Sequence, residues 1–212
     1  MAGVRNERPT DGEASALTFR PANEATWDDI QAVFGTRGGA SRCQCQRQVL
    51  GDGEWWHMPV EERAALLREQ AHVDDPAASS TAGLVAFLGD EPVGWVAVAP
   101  RTTYRRLLGS TVAWKDRNED KNDGTVWSVV CFVTRAGYRG EGLMYELAAA
   151  AVEFARARGA VALEGYPIVA KGDGKITWDE ASVGTPQVFA AAGLTQVTSP
   201  TVRRRVMRVD FR

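Results

Sequence analysis

The chain has 212 residues, enough to bury one core of ordinary size. Hydrophobic residues make up 44% and charged ones 25%, and the net charge of -2 argues against nucleic acid or an anionic membrane surface as a bulk partner. No eighteen-residue apolar run and no apolar leader occur, so no membrane partner is expected and the expected location is cytoplasmic; three cysteines, Cys43, Cys45 and Cys131, fit free thiols in a reducing compartment.

Residues 1–15 are polar and expected to be flexible, with a single domain over 16–212. ALTFRPA, from residue 16, has the alternation of a first strand, and Asn23 or Thr26 then caps a helix whose apolar face is Trp27, Ile30, Val33 and Phe34. GTRGGASRCQCQ reads as a glycine-rich break, and Pro59 followed by acidic residues marks a second helix start. Cys43-x-Cys45 lacks the spacing of a zinc site, so no metal is expected. TAGLVAFLGD and VGWVAVAPR form an antiparallel hairpin with a turn around Asp90, Glu91 and Pro92. The stretch 110–124 is too polar for core and reads as a solvated loop beside a site. TVWSVVCFVT, ending at Thr134, is a continuous apolar run, as expected of a central strand covered on both faces. A helix with its stripe on Leu143, Leu147, Ala151 and Phe154 ends at Gly159. AVALEGYPI reads as a strand, TPQVFAAAGL as a short helix, and the C-terminal stretch as one or two last strands, with Arg203, Arg204 and Arg205 on a solvated edge.

Between the central strand and the long helix lies GYRGEGLM, residues 137–144. Strand, tight glycine turn and helix aim unpaired helix N-terminal amides at an anion, and glycine at 140 and 142 lets a diphosphate approach the backbone. Arg139 adds a charge-assisted contact. No Gly-Lys-Ser or Gly-Lys-Thr occurs, which excludes a Walker-type loop, and the third glycine of a dinucleotide fingerprint is replaced by Tyr145. An acid two dozen residues on, Glu164, keeps the dinucleotide reading open.

VVCFVT, the turn YRGEG and the long helix resemble the acetyl-CoA site of the GNAT family of N-acetyltransferases. The family's diphosphate motif, Arg or Gln then x-x-Gly-x-Gly/Ala, is matched at Arg139 and Gly142, with Met144 departing at the sixth position across Arg139, Gly140, Glu141, Gly142, Leu143 and Met144. The order of elements over about residues 16–211 agrees, and VFAAAGLTQV is similar to the family's short helix and turn, with Leu194 where phenylalanine is usual. The resemblance implies an α/β (α+β) fold: a mixed, mostly antiparallel central sheet flanked by helices, with a splayed central strand.

It also implies a function: transfer of an acetyl group from acetyl-CoA, the co-substrate, to a primary amine by direct attack in a ternary complex. Phe132, Val133 and Thr134 are expected to hold the pantetheine arm as an added strand. Glu164 is a candidate base, Ser128 a holder of a water, and Tyr166 a candidate acid, because Phe189 stands where relatives carry a tyrosine four residues before Gly193. Tyr145 is a further possible acid. The acceptor is expected to be a small-molecule or peptide amine and the protein a monomer or homodimer. Trp55, Trp56, Cys43, Cys45 and Trp178 line an acceptor pocket or form a satellite cluster under long loops. A non-catalytic acyl-CoA sensor and a dinucleotide oxidoreductase are the alternatives.

Overall fold

The computed structural model describes residues 16–170 and 176–211, so the N-terminal segment expected to be flexible lies outside the described residues. The chain forms β1 (Leu17–Pro21), α1 (Trp27–Phe34), α2 (Gly38–Cys43), α3 (Asp52–His57), α4 (Val60–Gln70), β2 (Gly83–Leu88), β3 (Glu91–Pro100), α5 (Arg105–Gly109) and α6 (Thr111–Trp114). It continues through β4 (Val126–Thr134), α7 (Leu143–Ala157), β5 (Ala162–Gly165), α8 (Trp178–Ala181), α9 (Pro186–Ala191), β6 (Thr195–Thr201) and β7 (Arg204–Asp210). The strands make one sheet in the order β1-β2-β3-β4-β5-β7-β6. Every neighbouring pair is antiparallel except β4 and β5.

Local chemistry sets several boundaries. Thr26 accepts the Asp29 N–H at 3.1 Å while the Asp29 carboxylate accepts the Thr26 N–H at 3.0 Å, a reciprocal cap for α1. Such a cap stabilises by about 1 kcal/mol. Ile30, Val33 and Phe34 bury the expected face of that helix. The hairpin turn is tighter than its sequence suggests: Glu91 and Pro92 belong to β3, paired with Leu88 and Phe87, so the reversal falls on Gly89 and Asp90.

Alternation along the strands divides the core. Trp95, Ala97 and Ala99 of β3 pack beneath α1 and α4, whereas Val96 and Val98 pack beneath α7 and α9. On β4, Val130 is an extra residue, because Ala97 and Val98 face Cys131 and Val129. This bulge puts Val130 and Val133 on the α1 face and Val129 and Phe132 on the α7 face.

Two expectations are corrected. The stretch 110–124 is not simply a solvated loop: it contains α6, Ala113 and Trp114 are buried, and the Arg117 side chain is 2% exposed. Arg117 is buried by pairing, which composition does not reveal, while Lys115, Asp116, Asp120 and Lys121 do face water as expected. Arg204 and Arg205 do not form a sheet edge, since β7 lies between β5 and β6. Arg203 instead pairs with Glu180 at 2.7 Å, and Arg204 donates to the Tyr166 carbonyl at 3.3 Å.

Candidate active site

Pairing between β4 and β5 runs from Val126 opposite Ala162 to Val129 opposite Gly165 and then stops. Beyond that point the strands splay and the outer edge of β4 is open to other partners. The Phe132 N–H points into this gap, and by alternation so do the backbone groups of Thr134, while those of Val133 turn to Trp95 on β3. Of the three expected arm-holding residues, two therefore present backbone to the gap. The chain itself already enters there: Phe132 N–H donates to the Ser182 carbonyl at 2.6 Å, and Ile168 N–H to the Gly184 carbonyl at 3.0 Å. Thr134 O accepts from Arg139 Nε at 3.3 Å.

At the end of β4 the glycine turn delivers the chain to α7. Gly140 and Gly142 have φ of 85° and 77°, left-handed values that favour glycine, and a Cβ at either would meet nothing within 4 Å. Gly142 is the N-cap, and no side chain caps the helix. Leu143 is buried, so only its backbone faces the turn, and Met144 packs against the α7 core. Glu141 is exposed. The turn is an open concavity of main-chain donors at the positive end of a four-turn helix, which fits a diphosphate.

The three expected catalytic residues are brought together. Ser128 and Glu164 face each other across β4 and β5, and Tyr166 follows β5. Tyr166 Oη donates to Glu164 Oε2 at 2.7 Å, and Ser128 Oγ lies 3.2 Å from the phenol oxygen. Since the phenol donates to the carboxylate, Ser128 donates to the phenol. Glu164 and Ser128 are fully buried, and Tyr166 is half-buried.

Sequence reasoning missed what surrounds Glu164. Arg117 grips it with both guanidinium nitrogens, Arg208 Nη1 lies 2.8 Å from Oε1, and Arg101 Nη1 lies 3.6 Å from the same oxygen. Glu119 completes the cluster, at 2.9 Å from Arg101 and 2.7 Å from Arg117. Arg101 and Arg117 also sit over the Trp114 ring, 5.1 and 4.9 Å from its centroid. Burial pushes the Glu119 carboxyl up, but hydrogen bonds from Arg101 and Arg117 outweigh it and hold the group below the ordinary range. Burial, and then the Glu164 charge, drive the Tyr166 phenol far above its ordinary value. The only sequence signal for this cluster was an acid inside an apolar strand.

Phe189 is buried against Phe132, with ring centroids 5.7 Å apart. Gly165 makes room for it, because a Cβ there would stand 2.3 Å from the Phe189 ring. The position keeps an aromatic ring and has no hydroxyl. Tyr145 lies on α7 and is 44% exposed.

On the opposite face, Cys45 is buried and accepts from Trp95 Nε1 at 3.1 Å, while Cys43 and Cys131 are half-buried. Burial, followed by the neighbouring Cys131, pushes the Cys43 thiol up to about 11. A hydrogen bond with Cys131, and then burial, raise the Cys45 thiol well above its usual value. Both are therefore inert as nucleophiles at neutral pH. Brief alkylation at pH 7.5 is expected to leave Cys43 and Cys45 unmodified until the protein is unfolded, as read by peptide mass spectrometry. Trp55 is covered by Arg63, 4.3 Å from its ring, and Trp56 is exposed; the Trp178 side chain lies outside the described residues.

No group of three or more potential ligands for a metal ion occurs among the described residues, and no helix among them is long and apolar enough to cross a membrane. The dinucleotide alternative fails on topology, since it needs successive parallel units and among the described residues only β4 and β5 run parallel. Solved structures share the fold. A GCN5-related N-acetyltransferase from Kribbella flavida is 16% identical, with 92% of this chain and 98% of that one covered and a TM-score of 0.51. The yncA protein of Salmonella typhimurium, solved with acetyl-CoA, is 12% identical, with 92% and 94% covered and a TM-score of 0.51. No curated protein matches the sequence. The profile of the acetyltransferase (GNAT) family matches residues 50–167, over half the chain, from the start of α3 to just past Tyr166. With the splayed β4, the glycine turn and α7 all inside that span, the chain belongs to the GNAT acetyltransferase family.

Proposed function

We propose that this chain is an N-acetyltransferase that moves an acetyl group from acetyl-CoA to an amine by direct attack in a ternary complex. The observation that carries it is the uncapped start of α7 behind Gly140 and Gly142, opening beside the unpaired edge of β4. The amides of this turn, with Arg139, hold the diphosphate, and the backbone of Phe132 and Thr134 holds the pantetheine arm. The Ser182 carbonyl must give up the Phe132 amide for that. Acetyl-CoA supplies an acyl group already activated as a thioester.

Tyr166 is the residue best suited to protonate the departing thiolate. It is the half-buried member of the Ser128–Tyr166–Glu164 chain, and its one O–H, which rests on Glu164, swings to the sulfur as the C–S bond breaks. Glu164 is poorly suited to act as a base, because guanidinium groups and the phenol take up both of its oxygens. It orients Tyr166 instead, and Ser128 steadies the phenol from the other side. Tyr166→Phe is expected to lower kcat by about 100-fold with KM for acetyl-CoA unchanged. Unaltered kcat would move the acid elsewhere.

The test of the whole reading is calorimetry with acetyl-CoA, CoA and NAD, followed by thiol release across an amine panel. Binding of acetyl-CoA with amine-dependent thiol release is expected. Tight binding without turnover on any amine would make the chain a sensor, and binding of NAD alone would end the acyltransferase reading.

A further inference from the structure

On the face of the sheet opposite α7 lies a cavity of about 260 Å³. Its floor is Trp95, Ala97 and Ala99 of β3, and Leu67 of α4, Tyr104 and Cys45 form its walls. Among the described residues the lining contains no Asp, Glu, Lys or Arg. Its one histidine, His72, is exposed, with Nε2 at 3.2 Å from Ser80 Oγ. Tyr104 is 3% exposed, and its buried hydroxyl has no hydrogen-bond partner among the described residues. An orphaned buried hydroxyl is destabilising, a penalty that a bound polar group removes. The cavity floor lies on the strand next to the reacting one: Ala97 is paired with Cys131 of β4, Cys45 touches Cys131, Tyr104 and Tyr166 share the core cluster of this face, and the residue after Cys131, Phe132, turns its amide into the splay.

We propose that this cavity takes the acceptor, and that the acceptor is a small, uncharged amine of low basicity such as an aromatic amine or aryl hydrazine. This assignment rests on the acyl-transfer reading above. An alkyl ammonium, with a pKa of about 10.4, is only about 0.1% free base near pH 7.5 and needs a carboxylate to hold it or a base to deprotonate it. Among the described residues no carboxylate lines the cavity, the one that is buried, Glu164, is saturated by arginines, and an ammonium among neutral groups is strongly disfavoured. A weakly basic amine enters neutral with its lone pair available. Its nitrogen forms the N–C bond as the C–S bond breaks; Tyr166 protonates the thiolate, and the proton shed by nitrogen returns to the phenol through solvent. Tyr104 supplies the orienting hydrogen bond.

The test begins with calorimetry of acetyl-CoA, then compares thiol release with aniline, phenylhydrazine, phenethylamine, spermidine and a lysine peptide. The expected result is a kcat/KM for the two aryl compounds at least about 100-fold above the three alkyl amines at pH 7.5, nearly flat from pH 6.5 to 8.5. Tyr104→Phe is expected to raise KM for aniline about tenfold with kcat little changed. Leu67→Trp, which fills the cavity, is expected to abolish aniline turnover while acetyl-CoA still binds. Preference for spermidine, the peptide or phenethylamine would overturn the assignment alone, as would parental kinetics in both variants. Failure to bind acetyl-CoA would overturn the acyl-transfer reading and this assignment with it.

Discussion

Gly142→Val is expected to weaken acetyl-CoA binding by at least about 100-fold, roughly 2.7 kcal/mol, while the protein still folds. The two effects separate because of where the Cβ goes. In the structure it meets nothing within 4 Å, so no packing is disturbed. The φ of 77° does penalise any L side chain, by about 1–2 kcal/mol. For a chain of this length that is a fall in Tm of roughly 2–8 °C. Gly142→Ala carries much of the same backbone strain with far less bulk, so the difference between the alanine and valine variants isolates the steric block. Calorimetry and thermal melts on the parent and both variants check it. Equal affinity in all three would place the phosphates away from the start of α7.

The glycine turn was legible because everything that defines it is local: an apolar strand, glycines at 140 and 142, and a helical stripe within one unbroken stretch. The missing hydroxyl at Phe189 was legible for the same reason, being fixed by its distance from Gly193. Ser128, Glu164 and Tyr166 were found as separate candidates, and the sheet register brings them into one chain of hydrogen bonds. What could not be read was the state of Glu164. Its partners come from after β3, from beyond α6 and from β7, and no local pattern links residues 101, 117 and 208. Within the stretch 110–124, most of which is exposed as expected, Arg117 was missed by the same mechanism, since a charge that pairs inside the fold looks on composition like one facing water. The occupied amide of Phe132 was equally invisible, because Ser182 lies fifty residues on in the chain and reaches the gap only through the tertiary fold.

Glu164→Ala is expected to cost about 3–5 kcal/mol, because it removes the carboxylate on which three guanidinium groups converge. Arg101 and Arg117, 1% and 2% exposed, would be left with Glu119 as their shared anion. That loss corresponds to a fall in Tm of roughly 6–20 °C. Glu164→Gln keeps the shape and an acceptor for the phenol but removes the charge, so it is expected to lose most of the same stability while retaining turnover at temperatures where it stays folded. Acid should weaken the cluster in the same direction. The Glu119 carboxyl is depressed in the folded state, so the unfolded chain takes up its proton first; the stability is present above about pH 4.3 and is lost as pH falls below it. Urea unfolding of both variants from pH 7 down to 3, with thiol release measured in parallel, reads both effects. A Glu164→Gln protein as stable as the parent but without turnover would make Glu164 the base that its arginine shell argues against.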